Sequence, residues 1–191
     1  MGIKVCKFGG TSMADGNIIQ SAAKIVAADP ARRYVVVSAP GKRFGGDIKV
    51  TDLLYKCSEL AETGGAFEAE FSKIRTRFLN IEKEIGLDLG VEGMLDEIEE
   101  RVLRGEGRDY CASRGEYLAA RIMAAVLDVP FVDAADIVRF KADGSLDEET
   151  YALAASVLKK YARAVVRNID SRIKSYDSIL KKLQRKSYDI S

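Results

Sequence analysis

The sequence predicts an α/β fold built on a mainly parallel sheet. Short β-branched apolar runs, above all Tyr34-Val35-Val36-Val37, alternate with longer segments whose apolar residues recur at helical spacing. The first strand, the helix after it and the second strand also follow one another at the length of a right-handed crossover, which makes the two strands parallel.

The elements read in order as follows. Ile3, Val5 and Phe8 form an apolar strand that breaks at Gly9-Gly10-Thr11-Ser12. Asp15 or Asn17 can cap the next helix, whose inner face is Ile18, Ala22, Ile25 and Val26, and Asp29-Pro30 ends it. Tyr34 to Val37 is a strand covered on both faces. A polar, glycine-rich loop runs from Ala39 to Val50, and Thr51 can cap a helix carrying Leu53, Leu54, Cys57 and Leu60. Beyond Gly64-Gly65 a longer helix carries Phe67, Phe71, Ile74, Phe78 and Ile81, and another spans Glu92 to Leu103. Arg108 to Leu127 is an alanine-rich helix. Val129 to Val132 and Ala135 to Phe140 are strand candidates, Asp147 to Lys160 is a helix, and Ala164-Val165-Val166 opens a further strand.

Composition bounds the function. The chain has 191 residues, 47% hydrophobic and 31% charged, which is ordinary globular composition for about one domain. A net charge of +1 gives no global basic field for nucleic acid. There is no histidine, so Ser-His and Cys-His nucleophile pairs and imidazole metal ligands are excluded. Cys6, Cys57 and Cys111 are too few and too widely spaced for a zinc site or a disulfide framework, and they fit a reducing cytosol. The opening MGIKVCKFGG lacks a signal-peptide apolar run, the myristoylation pattern fails at Cys6, and no apolar stretch approaches a membrane span.

After Val166 the composition changes. Residues 167–191 contain no Gly, Pro, Ala or Val and carry a net charge of +4, against −3 for the residues before them. Ile169, Ile173, Tyr176, Leu180 and Leu183 have 4-3-4-3 spacing, which predicts a basic amphipathic helix. The string Lys-Ser-Tyr-Asp occurs twice in this segment, too short a match to define a repeat architecture.

Three constellations can carry chemistry. Lys7-Phe8-Gly9-Gly10-Thr11-Ser12 lies at a strand's carboxyl end before a helix. Glycines let a backbone approach a ligand, a helix N-terminus adds partial positive charge, and Lys7 can project its ammonium over the same point. Together these make a phosphate cradle; the alternative is a plain Gly-Gly turn with a snorkelling lysine. It is not a Walker A loop. Ser38 ends the second strand, so two strand ends aim Lys7 and Ser38 at one crevice, with Thr51 opening the helix beyond. The alternative there is a turn serine and an N-cap. In Ser113-Arg114-Gly115-Glu116, Glu116 is either a surface carboxylate, with Arg108, Arg114 and Arg121 available to pair with it, or a cleft carboxylate able to hold a substrate ammonium.

In combination and in order, KFGGTS, then VVVSA with a loop to Thr51-Asp52-Leu53-Leu54, then ASRGE resemble aspartate kinase. Phe8, the Thr11-Ser12 pair and the long helical insertion between Gly64 and Arg104 distinguish that pattern from other amino-acid kinases. The resemblance covers Met1 to about Val166. It implies an amino-acid-kinase fold, a three-layer αβα sandwich, and transfer of the γ-phosphoryl of ATP, with Mg²⁺, to the side-chain carboxylate of L-aspartate, the first step of lysine, threonine and methionine synthesis. Lys7 would neutralise the transferred group, with Gly9, Gly10, Thr11 and Ser12 on the nucleotide phosphates. Ser38, Thr51 and Glu116 would bind aspartate, Glu116 through the α-ammonium. No protein metal ligand is assigned. The implied partners are L-aspartate and ATP in the cytoplasm, with no nucleic acid and no membrane. The missing histidine is compatible, because a carboxylate nucleophile with a pKa of about 4 is already ionised at neutral pH.

The family pattern continues past Val166 with a Pro-Gly-Phe turn and a Ser-Arg-Gly-Gly-Ser-Asp segment, neither of which is found. The adenine-binding half, further phosphate ligands and effector-binding regions would lie there. The second reading is therefore a non-catalytic truncated fragment or pseudo-enzyme with partial aspartate or phosphate binding; the third is one part of a homo-oligomer or of a kinase completed by a second chain.

Overall fold

A computed structural model describes residues 2–168 of the protein. Four strands form one parallel sheet: β1 (Lys4–Phe8), β2 (Arg32–Val37), β3 (Phe131–Val132) and β4 (Ala164–Arg167), in the order β1-β2-β4-β3. The register pairs Phe8 with Val37, Val37 with Arg167, and Val132 with Val166. The carboxyl ends of β1, β2 and β4 therefore stand side by side.

Both faces of β2 are buried, as its unbroken apolar run requires. Successive side chains alternate. Val35, Val37 and Val165 enter a core shared with α1 (Gly16–Ala27), α2 (Val50–Glu62), α3 (Glu68–Ile85), α4 (Val91–Leu103) and α5 (Arg108–Leu127). Tyr34, Val36 and Val166 enter a second core with α6 (Ala134–Ile137) and α7 (Glu149–Leu158). The result is the three-layer α/β/α arrangement that the resemblance implied.

Asp15 caps α1, its side chain accepting from Ile18 N at 2.8 Å. On α3, Phe71, Ile74, Phe78, Ile81 and Ile85 make a buried stripe, each Phe contributing about 1.5–3 kcal/mol through burial. Gly86, at φ 75°, closes that helix in the left-handed conformation. Glu82 then accepts from Leu89 N (2.7 Å) and Val91 N (3.2 Å), fixing the start of α4 against α3.

Four elements differ from the sequence expectation. On α1 the buried face is Ile19, Ala22, Ala23 and Val26, while Ile18 and Ile25 are exposed. Ala135 to Phe140 is not a strand: Asp133 caps Ala135 N at 2.9 Å and starts the single-turn α6, leaving only an isolated Phe140–Leu146 bridge. Thr51 does not cap α2; Lys49 occupies the N-cap and Thr51 lies in the first turn. Arg167, grouped by composition with the basic segment, is the last residue of β4, where it is buried and paired with Asp133 at 2.6 Å. The helix expected from Ile169 to Leu183 lies outside the described residues. Among the described residues, no helix is long and apolar enough to cross a membrane.

Candidate functional site

A cleft of about 550 Å³ opens at the carboxyl ends of β1, β2 and β4. Six of the residues singled out from sequence line it: Lys7, Gly10, Thr11, Ser38, Thr51 and Glu116. They come from four places in the chain. Lys7 is on β1 and Ser38 directly follows β2. Thr51 is in the first turn of α2, and Glu116 is within α5.

Gly9 and Ser12 are placed differently. Gly9 has an extended backbone that any residue adopts, and a Cβ there would meet nothing within 4 Å. Ser12 N donates to Gly9 O at 2.9 Å, closing the short 3-10 turn Gly10–Met13, and neither residue lines the cleft. Gly10 is the glycine that geometry demands, since its Cβ would lie 3.0 Å from Ala39 O and 3.1 Å from Gly41 N. The helix N-terminus expected over the cradle does not line the cleft. The N-terminus of α1 starts six residues after Gly10, and its first amides are taken by Asp15 and by Glu84, which accepts from Gly16 N at 2.7 Å.

Close packing brings Glu116 to the cleft. Gly115, beside it, lets α5 approach α2 so tightly that an added Cβ would stand 2.7 Å from Ala39 Cβ and 3.2 Å from Val50 Cγ1. Glu116 is only 8% exposed. The neighbouring arginines have other partners. Arg108 meets Glu59 and stacks on Tyr55. Arg114 lies between the rings of Tyr110 and Tyr117, 4.5 and 4.8 Å from their centroids, and donates to Ser113 Oγ. Arg121 covers Tyr117 and Phe131. Burial pulls the Arg114 guanidinium below its ordinary value, from a start so high that it stays charged.

Sequence reasoning missed eight residues of the cleft: the Ala39-Pro40-Gly41 segment after Ser38, and the polar side chains of Lys42, Lys49, Asp52, Tyr55 and Asn168. Signals existed for most of these side chains. Tyr55 stands four residues after Thr51 on the same helix face. Asn168 follows β4 as Ser38 follows β2, so the strand-end rule applied to the third strand points to it. Lys42 and Lys49 bracket the glycine-rich loop after β2. With Lys7 they make three cationic side chains around two carboxylates, Asp52 and Glu116, which suits an anionic ligand bearing one cationic group.

That loop is braced from behind. Asp47 Oδ2 accepts from Arg43 Nε (2.8 Å) and from Arg77 Nη2 (2.5 Å), and Arg43 N donates to the same oxygen at 3.0 Å. The hydrogen bond from the Arg43 side chain is the largest cause holding the Asp47 carboxyl well below the usual carboxylate range. Burial, then the adjacent Arg43, pulls the Arg77 guanidinium down, yet it too stays charged.

A parallel sheet covered on both faces, with a charged cleft at its strand ends, is the arrangement of α/β proteins whose ligand sites lie outside the carboxyl ends of the strands. The amino acid kinase family pattern matches residues 2–175, and the chain belongs to that family. Aspartokinase 3 of Bacillus subtilis (strain 168) is 44% identical over 85 residues, which is 44% of this chain and 19% of that protein. Aspartate kinase of Clostridium acetobutylicum matches with a TM-score of 0.86 at 36% identity, over 88% of this chain and 39% of that one. Aspartokinase III of E. coli, solved with aspartate and ADP, matches with a TM-score of 0.66 at 26% identity, over 86% of this chain and 40% of its own. The chain thus spans two fifths or less of the length of these relatives.

Proposed function

We propose that the cleft is the aspartate-side part of an aspartate kinase site, serving transfer of the γ-phosphoryl of ATP to the β-carboxylate of L-aspartate. The observation that carries this reading is the convergence of Lys7, Gly10, Ser38, Thr51 and Glu116, from separate elements, on one cleft. In this reading Glu116 takes the substrate α-ammonium and the Ser38 and Thr51 hydroxyls orient its carboxylates. Lys7 then faces the phosphoryl group, beside the Gly10–Thr11 turn. The attacking oxygen needs no base, because an ordinary carboxylate is ionised at neutral pH. The protein's share of the chemistry is then positioning and stabilisation of negative charge spread over the phosphoryl oxygens.

Mg²⁺ is handled by the nucleotide in this scheme. No group of three or more His, Cys, Asp or Glu assembles a metal cage among the described residues. Mg²⁺ commonly binds through phosphates and waters with one or two carboxylates. The ion would arrive on the phosphates, where it supplies charge neutralisation.

Calorimetry with L-aspartate tests the reading. Glu116→Gln keeps the shape and removes the charge, so affinity should fall about tenfold or more, the size of a lost charged hydrogen bond. Unchanged affinity would sink the assignment. A second reading of the same lining is an aspartate or phosphate binder without turnover, because three lysines facing two carboxylates suit such a ligand whether or not transfer follows. A coupled assay decides between them: ATP consumption that depends on aspartate and disappears in Lys7→Ala overturns the second reading.

A further inference from the structure

Arg77 lies beside the buried apolar stripe of α3, a charged side chain that is only 5% exposed. It does not line the cleft. Its hydrogen bonds go to two segments that do. Nη1 donates to Gly41 O at 2.9 Å and to Ala14 O at 3.5 Å; Nη2 donates to Asp47 Oδ2 at 2.5 Å and to Ile48 O at 3.4 Å. Ala14 directly follows the Gly10–Met13 turn. Gly41, Asp47 and Ile48 belong to the loop that carries Lys42 and Lys49. One planar guanidinium, with donors in a fixed fork, thus ties the turn beside Lys7 to the lysine-bearing loop. Arg43 closes the same loop on itself through Asp47. Glu84, two turns further along α3, holds Gly16 N, so the helix grips the start of α1 as well. The opposite wall of the cleft, with Glu116, Thr51 and Tyr55, is built by α5 and α2 and receives no hydrogen bond from Arg77.

We propose that Arg77 is a positioning residue that sets the phosphate-facing wall of the cleft, fixing the Gly10–Ala14 turn against the Lys42–Lys49 loop while leaving the Glu116 wall to α2 and α5. The wall's assignment to phosphate rests on the function proposed above. The mechanical part stands on the hydrogen bonds alone.

The test uses the full chain with Arg77→Met and Arg77→Lys, and two readouts. The first is amide hydrogen exchange. Gly41 N–H, bonded to Gly10 O, and Val50 N–H, bonded to Pro40 O, should exchange about tenfold faster or more in Arg77→Met, as expected for lost hydrogen bonds to a charged group, with the Val35 and Val36 amides unchanged. Arg77→Lys keeps the charge but cannot span four acceptors, so it should show the same pattern at smaller amplitude. It carries the test if Arg77→Met does not fold. Uniform acceleration across the chain, or none at Gly41, overturns the proposal.

The second readout is calorimetry with inorganic tripolyphosphate and with L-aspartate. Arg77→Lys should weaken tripolyphosphate about fivefold or more and L-aspartate less than about twofold. Equal loss of both shows a merely structural role and overturns the proposal. Failure of the unsubstituted chain to bind either probe overturns the functional reading of the cleft, and the exchange measurement still decides Arg77.

Discussion

Gly41 N–H donates to Gly10 O at 2.8 Å, and the two glycines lie so close that neither has room for a side chain. A Cβ on Gly41 would stand 2.7 Å from Gly10 C and 2.9 Å from Thr11 N, against backbone that cannot turn aside. This contact, made between the turn after β1 and the loop after β2, closes the floor of the cleft.

Gly41→Ala should therefore destabilise the protein by about 1–3 kcal/mol, as overpacking does in a close-packed site. It should also weaken tripolyphosphate binding, since the Gly10–Gly41 contact belongs to the wall that Arg77 fixes. Gly9→Ala is the contrast: with open space around it and an ordinary backbone conformation, it should change stability by less than about 0.5 kcal/mol. Urea unfolding of the two variants checks this, and equal effects would show that the Gly10–Gly41 contact does not constrain the site.

Gly115→Ala sets two effects against each other. Alanine in a helix interior is normally favoured over glycine by about 0.5–1 kcal/mol. Here the added methyl meets Ala39 Cβ at 2.7 Å, and Val50 Cγ1 and Leu54 Cδ1 at 3.2 and 3.3 Å. Ala39 has no rotamer with which to yield, so the clash should win, with a net loss of about 1–2 kcal/mol. Because Glu116 is the next residue on α5, aspartate affinity should fall with stability. A thermal melt paired with aspartate calorimetry measures both; a raised melting temperature would mean that α5 shifts freely on α2.

Much of this was legible in the chain. The β2 run and the 3-4 spacing of Phe71, Ile74, Phe78 and Ile81 gave the sheet and the longest inserted helix, because burial on one face or both leaves a period in the residues. Lys7, Ser38, Thr51 and Glu116 stood out as polar groups at strand ends or in apolar helices. What stayed hidden depends on contacts between distant segments. Gly9 and Gly10 are alike in sequence, and only the approach of Gly41 separates them. Ala135 to Phe140 read as a strand because the Asp133 cap that starts α6 is a polar contact that apolar spacing does not reveal, and the pairing that holds Asp133 joins it to Arg167, 34 positions away. Arg77 sits among charged α3 residues such as Lys73 and Lys83, and nothing local marks it as the one that turns inward.

The Asp47 cluster makes stability depend on pH in a defined direction. Its carboxyl is held below the ordinary value by Arg43 and Arg77 in the folded state and reverts to about 4 when unfolded. A depressed folded value means that the unfolded chain binds the proton first as pH falls. The stabilisation is then complete above about pH 5 and is lost progressively below pH 4. Asp47→Asn removes it at every pH while leaving an acceptor for the two guanidiniums. The wild type should therefore be the more stable of the two at pH 7, and the gap should narrow steadily as pH is lowered from about 5 towards 2. Chemical denaturation of both proteins across that range measures the gap. A constant difference would show that the Arg43–Asp47–Arg77 contacts act through shape alone, with no dependence on the carboxylate charge.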